Sequence, residues 1–509
     1  MMRAAGGGPH RGLITACIML ATVMQVLDTT IANVALPHMQ GSLSATQDQI
    51  SWVLTSYIVA SAIMTPPTGY LARRFGRKQL FLFAVAGFVA ASMLCGIAGS
   101  LVEIVIYRLL QGAFGASLVP IAQALLLDTY PRERHGWAMA MWGLGVMVGP
   151  ILGPTLGGYL TDQYDWRWVF YINLPFGILA FLGILAFVPE TPKDRTRGFD
   201  VFGFSMLSLA IGALQMMLDR GELKDWFGSP EIVAEAVLAL LAFYLFLVHT
   251  FTAERPFIDL RALADRNLIM GVSLIFMTST ILLSTMALYP PFLQTLMGYP
   301  VLTAGTVLAP RGIGTMFAMF TVGRLIGRAD PRLLALFGLA MCAFTLWLMT
   351  GFTAEVSQFT IVWTGVLQGF GLGFIFVPVS TMTFATLAAH QRTEAAGLFS
   401  LMRNVGGSLG ISVMTAMLSH NQQVNHASLA QHVTPLNPMF REPYLPEAWS
   451  LETSQGLVQL NDEIGRQAMT IAYLDDFMLL MITALVAAPM LLLLRGPGRT
   501  APALATASD

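Results

Sequence analysis

Charge is scarce in this chain of 509 residues: 28 basic and 29 acidic side chains make up only 11% of it. A soluble globular domain carries about 25% charged residues, so a soluble enzyme is excluded at the outset. The few charges nearly cancel, to a net −1 at pH 7, whereas a nucleic-acid binder should show a basic face. Cysteine is almost absent. Cys17, Cys95 and Cys342 each fall inside an apolar run and read as neither a disulfide frame nor a metal site. There is no Gly-x-x-x-x-Gly-Lys-Ser/Thr loop for ATP coupling and no His-Glu-x-x-His pair for intramembrane proteolysis.

Apolar length is what the chain has in abundance, with 55% hydrophobic residues. About 20 apolar residues in a helix cross the roughly 30 Å core of a bilayer. Such runs fall at 12–36, 51–71, 79–99, 102–127, 136–160, 168–188 and 200–218. They continue at 230–252, 268–289, 302–322, 333–352, 357–380, 395–418 and 473–494. The expectation is an all-α polytopic membrane protein with fourteen transmembrane helices. The first run follows Arg3 and Arg11 like a signal peptide, but it is too long and holds Asp28, so it reads as an uncleaved span.

Twenty of the 28 Lys and Arg residues fall on the side that would hold both termini, including Arg73, Arg74, Arg77 and Lys78. The opposite side has Arg167, Arg220, Lys224, Arg441 and Arg466, while Arg108, Arg311 and Arg403 lie within runs. The positive-inside rule therefore places both termini in the cytoplasm. An odd number of spans would scramble this alternation. The segment 419–472 reads as the one long outward loop; its His420, His426 and His432 are spaced six apart, off any single helix face, so a partner-facing or capping role is preferred to metal binding. The charged, Pro-rich segment 189–199 reads as a cytoplasmic hinge.

An internal repeat is visible. Leu110-Gln111-Gly112 precedes Pro120 in the fourth run, and Leu367-Gln368-Gly369 precedes Pro378 in the twelfth. Matching them aligns runs one to six with nine to fourteen and leaves two inserted. Two similar helical halves around a substrate path are a common transporter plan. The expected division is 1–199 for the first six-helix bundle, 200–267 for the inserted pair, and 268–509 for the second bundle.

A charge near the bilayer centre costs at least about 2.5–3.5 kcal/mol and marks function by default. Asp28 lies deep in the first run with Gln25 on the same helix face. A lone carboxylate there either pairs with a cation or holds a proton, so it can carry a proton; a static ion pair is the competing reading. Arg108, with Gln111 on its face and Gly112 and Gly115 beside it, is the natural partner. Arg311, after Pro310, and Arg403, before Asn404, either line a cavity and touch an anionic substrate group or tether helices. Asn33 and Gln368 are further candidates for the cavity. Gly145, Gly149, Gly153 and Gly157 recur every four residues, with Pro150 and Pro154 between them, and so form one face for backbone-close packing.

The stretch Leu27-Asp28-Thr29-Thr30-Ile31-Ala32-Asn33-Val34-Ala35-Leu36-Pro37 resembles the first-helix signature of the fourteen-span drug:proton antiporters (EmrB/QacA type) of the major facilitator superfamily. Arg108 with Gln111-Gly112 and Gly115 resembles the superfamily's fourth-helix motif, in which the arginine is implicated in proton coupling. The glycines and prolines of 145–158 resemble the fifth-helix antiporter motif. Trp166–Gly177 and Leu218-Asp219-Arg220-Gly221 are similar to further family stretches. One position departs: the loop 69–78 has Arg73 where the superfamily usually has Asp, so its four positive charges are expected only to anchor the cytoplasmic surface.

The resemblance implies proton-coupled export of lipophilic drugs or toxic compounds by alternating access in the bacterial inner membrane. It implies no cofactor beyond the proton-motive force. It also implies a periplasmic adaptor and an outer-membrane channel as partners. The competing readings are an exporter of one endogenous metabolite, such as a siderophore or fatty acid, and a sensor that transports nothing.

Overall fold

The computed structural model describes residues 11–191, 193–194, 198–253, 256–257, 264–388, 391–434, 437, 449, 451 and 453–495. Arg3, Arg195, Arg197, Arg255, Arg261, Arg441 and Arg499, all counted in the charge census, lie outside these residues. Among the described residues the regular structure is entirely helical. The first half comprises α1 (Arg11–Ser42), α2 (Gln47–Met64), α3 (Thr68–Phe75), α4 (Arg77–Ile97) and α5 (Leu101–Gly115). It continues with α6 (Leu118–Thr129), α7 (His135–Gln163), α8 (Trp168–Tyr171) and α9 (Asn173–Phe187). Two helices follow, α10 (Val201–Arg220) and α11 (Pro230–Thr252). The second half holds α12 (Arg266–Pro291), α13 (Val301–Leu325), α14 (Pro331–Met349), α15 (Gln358–Ala385), α16 (Arg392–Ala430) and α17 (Ser454–Ala487).

Short polar side chains start many of these helices by accepting an otherwise orphaned backbone N–H. Ser100, Asp200, Asp265, Ser357 and Thr453 accept from Glu103, Gly203, Leu268, Thr360 and Gly456. Thr46 and Gln49 cap each other reciprocally. The hydropathy runs thus begin where a cap permits.

Among the described residues eleven helices are long and apolar enough to cross a bilayer, or twelve if α2 and α3, bent by 59°, make one span. The expectation was fourteen. The two runs outside this count are α13 and α16, and both are diluted by polar residues. The first carries Arg311 and Arg324 among four glycines, and the second ends in the polar stretch after Ser419. The outward loop also needs correction. Residues 419–430 continue α16 and residues 454–472 open α17, so much of the expected loop is helix, and most of what lies between falls outside the described residues. His420 and His426 sit on α16, and His426 Nε2 lies 3.1 Å from Asn461 Oδ1 on α17. Polar sequence ends a hydropathy run without ending a helix.

Within the first half α1 packs on α7, and α5 on α2 and α4; in the second, α12 packs on α16, and α15 on α13 and α14. The halves meet along α7 and α13, where Gly143 faces Met319 and Gly312 faces Ile151. The helix α10 touches both halves. It packs on α2, and its Gln215 Nε2 donates to Ser408 Oγ of α16 at 2.8 Å.

The repeat is visible as repeated contacts. A Cβ on Gly112 would lie 2.4 Å from the Tyr57 carbonyl oxygen, and one on Gly369 would lie 2.1 Å from that of Arg311. Likewise Thr30 Oγ1 donates to the Gly149 carbonyl at 3.0 Å, and Thr280 Oγ1 to that of Gly406 at 2.8 Å. Both glycine pairs are 257 residues apart (112 to 369, 149 to 406).

The glycine face of α7 meets α1 throughout. A Cβ on Gly145 would strike Met19; on Gly149, the Val26 backbone; on Gly153, Thr30; and on Gly157, Ile31 and Val34. Pro150 sits inside a continuous helix, and Pro154 falls in the same helix. Overpacking costs about 1–3 kcal/mol. Gly149→Ala, whose methyl would sit 2.8 Å from Val26 backbone atoms, should therefore lower the unfolding temperature measurably in detergent. Gly158→Ala, with nothing within 4 Å, should not; equal melting of the two would refute this packing.

Candidate functional site

Asp28 and Arg108 come together, each only 1% exposed. Arg108 Nη1 donates to Asp28 Oδ2 at 2.7 Å and also to Gln111 Oε1 at 2.8 Å. Gln111 Nε2 and Asn173 Nδ2 donate to the other carboxylate oxygen at 2.8 and 2.6 Å. Arg108 Nε donates to the Val53 carbonyl at 3.2 Å, and the guanidinium lies 4.3 Å from the Tyr57 ring centroid. Ser92 Oγ in turn accepts from Asn173 at 2.9 Å. Gln25 Nε2 donates to Tyr57 Oη at 3.1 Å, one step outside the pair. Asn33 is exposed and lies apart from this cluster.

Two ions buried in an apolar interior repay their desolvation only when the geometry is good and the spare lone pairs are satisfied. Here both carboxylate oxygens are engaged. The positions follow from helix geometry: Arg108 and Gln111, three apart on α5, share a face, and Gly112 lets α2 close against it. A protonated Asp28 would lose its charge complementarity with Arg108, so one proton can alter contacts among α1, α2, α5 and α9.

The second half repeats the packing without this chemistry. Arg311 is 9% exposed, and no described residue bonds to it through its guanidinium; its buried Nη2 has no hydrogen-bond partner. Gln368 is fully buried, with both amide atoms unpartnered. Arg403 projects toward the join between halves, 5.8 Å from the Trp142 ring centroid, and Trp142 stacks on Phe376 at 5.5 Å. Asn404 follows it, partly exposed.

A second cluster ties the halves at one end. Arg73 Nη1 donates to Glu394 Oε2 at 2.9 Å, and Asp128 accepts from both Arg77 and Arg392, the latter at 2.8 Å. Gly69 makes room for this: a Cβ there would lie 2.8 Å from the Glu394 Cα. The expectation that the 69–78 loop only anchors a surface is therefore corrected. Two of its four cations join ion pairs, and one of these crosses directly to α16. The described part of 189–199 is bound to the same loop, since the Asp194 N–H donates to the Arg73 carbonyl at 2.9 Å and Thr191 Oγ1 accepts from the Arg77 N–H at 2.8 Å.

The profile of the Major Facilitator Superfamily matches residues 18–411. The chain belongs to that superfamily. It is 36% identical over 488 residues to the fatty acid resistance protein FarB of Neisseria gonorrhoeae, covering 95% of this chain and 96% of that one. It is 35% identical over 474 residues to the multidrug export protein EmrB of Escherichia coli K12, covering 92% of each. The human organic anion transporter MFSD10 superposes with a TM-score of 0.61 at 13% identity, over 94% of this chain and all of that one, which shows the major facilitator fold. The protein is a multi-pass membrane transporter.

Sequence reasoning missed several residues that this major facilitator buries. Asn173 and Ser92 complete the Asp28 site from α9 and α4. Asp476 on α17 is 1% exposed, with both oxygens unpartnered, one turn from Tyr473. Its signal was a carboxylate near the start of the last hydropathy run. Glu394 on α16 and Asp128 on α6, which are not buried, also went unnoticed.

The Arg73–Glu394 bridge is testable by exchange. The pair is only partly exposed; a surface ion pair is worth about 0–1 kcal/mol, and like charges at this distance repel. Arg73→Glu should therefore shift the closed-to-open ratio at this end about fivefold or more and lower transport accordingly. The double variant Arg73→Glu/Glu394→Arg should recover most of the loss. Failure of the exchange to recover any activity would remove the bridge from the cycle.

Proposed function

We propose that the protein exports lipophilic toxic compounds from the cytoplasm in exchange for protons. In this reading it is a fourteen-span antiporter of the bacterial inner membrane, with both termini cytoplasmic. Its bundles are 1–199 and 268–509, with 200–267 as the inserted helices. The charge asymmetry supports this orientation, in which the Arg73–Glu394 bridge lies on the cytoplasmic side. The observation that carries the reading is the buried Asp28–Arg108 pair, a titratable carboxylate at the centre of a network drawn from four helices, α1, α2, α5 and α9. Protonation from outside neutralises Asp28 and loosens Arg108; release of the proton to the cytoplasm restores the pair. The energy source is the proton-motive force, with no bound cofactor.

The relatives' names support the substrate range. EmrB is a multidrug export protein and FarB a fatty acid resistance protein; lipophilic acids thus fall within what this chain is proposed to move. A periplasmic adaptor and an outer-membrane channel would carry the cargo onward.

The test is dye extrusion from efflux-deficient cells, with and without a protonophore. Wild type should extrude a lipophilic dye in a protonophore-sensitive way. Asp28→Asn, nearly the same shape, should reach the membrane yet lose at least about tenfold of this activity. Arg108→Lys should fall between them, since a point charge does not replace a planar fork. Full pumping by Asp28→Asn would overturn the mechanism, and loss of coupling in Asp476→Asn alone would move it to the second half.

A further inference from the structure

The repeat allows the two halves to be compared position by position. Thr30 and Thr280 make the same bond to their helix partners, so Asp28, two residues earlier, corresponds to Thr278. Gly112 and Gly369 make the same close approach, so Arg108 corresponds to Gly365 and Gln111 to Gln368. The carbonyls under those glycines belong to Tyr57 and Arg311. The second half therefore keeps the glutamine, supplies its guanidinium from α13 instead of α15, and has a threonine where the carboxylate should be.

The substitution leaves a site with a missing partner. Thr278 Oγ1 is turned onto its own helix, donating to the Leu274 carbonyl at 2.7 Å, and offers Arg311 no charge. No carboxylate among the described residues pairs with Arg311, and its nearest titratable neighbours are Tyr289 and Cys342. Tyr289 donates to Met349 Sδ at 3.0 Å. Gln368 leaves a buried donor and acceptor unused. The backbone of α15 is not crowded here: a Cβ on Gly365 would meet Arg311 Cβ in ordinary contact, at 3.8 Å. A buried cation persists only if something compensates it; Arg311 and Gln368 lie on packed helices, with the Arg311 carbonyl against Gly369, and a guanidinium and a glutamine amide are the donor types that Asp28 itself meets in the first half.

We infer that the Arg311–Gln368 site receives the carboxylate of a lipophilic acid in place of the missing acidic side chain. Arg311 offers paired N–H donors, the Gln368 amide a further one, and the apolar walls of α12, α14 and α15 take the first methylenes of the tail. This rests on the proposed export function and assigns one substrate class to it: amphipathic monocarboxylates, bound as anions.

The test is equilibrium binding to the purified full-length protein in nanodiscs without any gradient, using decanoate and decanol. Hydrogen bonds to a charged group are strong enough to give a preference of about 10–100-fold for the acid. Arg311→Gln should erase that preference, and Arg311→Lys should retain part of it. If Arg311→Gln does not fold, Gln368→Leu should reduce the preference about tenfold. Affinity should rise from butyrate to decanoate; a bare inorganic-anion site would bind chloride and the whole series alike, which would overturn the assignment. So would equal binding of decanoate and decanol by wild type, or an undiminished preference in Arg311→Gln. Protonophore-sensitive dye extrusion without any preference for the acid would sink this inference and leave the export reading standing. The reverse pattern would do the opposite.

Discussion

The Asp28–Arg108 pair places the strictest demand on this architecture. Two opposite charges are held among apolar helices, where an unpaired ion would cost several kcal/mol. The structure meets that demand by drawing donors from α5 and α9 to the carboxylate and by giving the guanidinium the Val53 carbonyl and the Tyr57 face. Because the partners come from α2, α5 and α9, a change in the charge state of the pair alters contacts between helices. Networks of this kind are coupled more strongly than the sum of their bonds. That makes the site suited to turning one proton into helix movement.

The glycines are what let the pair exist. Gly112 brings α2 within carbonyl distance of α5, and the glycine face of α7 holds α1 so that Asp28 reaches inward. The second half uses equivalent glycines at 369 and 406 for equivalent contacts. Packing has thus been kept while the ionisable groups have diverged. One half neutralises its cation internally, and the other leaves Arg311 open. Two halves with the same helix geometry, one with a neutralised pair and one with an unpaired cation, suit a division between coupling and recognition.

Much of this was legible in the sequence because it depends on local pattern. Hydropathy gave the helices of both halves, period-four glycines gave the α7 face, and Asp28 and Arg108 stood out as charges where charge is costly. What failed was non-local or masked by polarity. Asn173 sits in a stretch that reads as a helix opening, and nothing in its neighbourhood points to Asp28, which lies 145 residues away. The helical extensions of α16 and α17 beyond the membrane were hidden because hydropathy reports apolar length and not helix length. Asp476 stands beside Asp475, and only burial distinguishes the two: Asp476 is buried while Asp475 is exposed. Arg73 was misread because its partner, Glu394, lies across the join between the halves, 321 residues away.

The pair and the bridge share one stretch of backbone. The helix α2 presents the Val53 carbonyl and Tyr57 ring to Arg108, then bends by 59° into α3, which carries Arg73 to Glu394. Gly69, just past the bend, is pressed against the Glu394 backbone. In the proposed cycle, loosening of Arg108 frees the part of α2 that it holds, and the displacement has a rigid path of about five helical turns to the bridge. Helices transmit such shifts because their interiors are close-packed and deform little. In that cycle a bend placed between the two sites converts a small rotation of α2 into a sideways swing of α3, and a sideways swing strains an ion pair held by a single N–H···O contact. The Asp28–Arg108 site and the inter-half bridge are linked in that cycle through α2 and its bend.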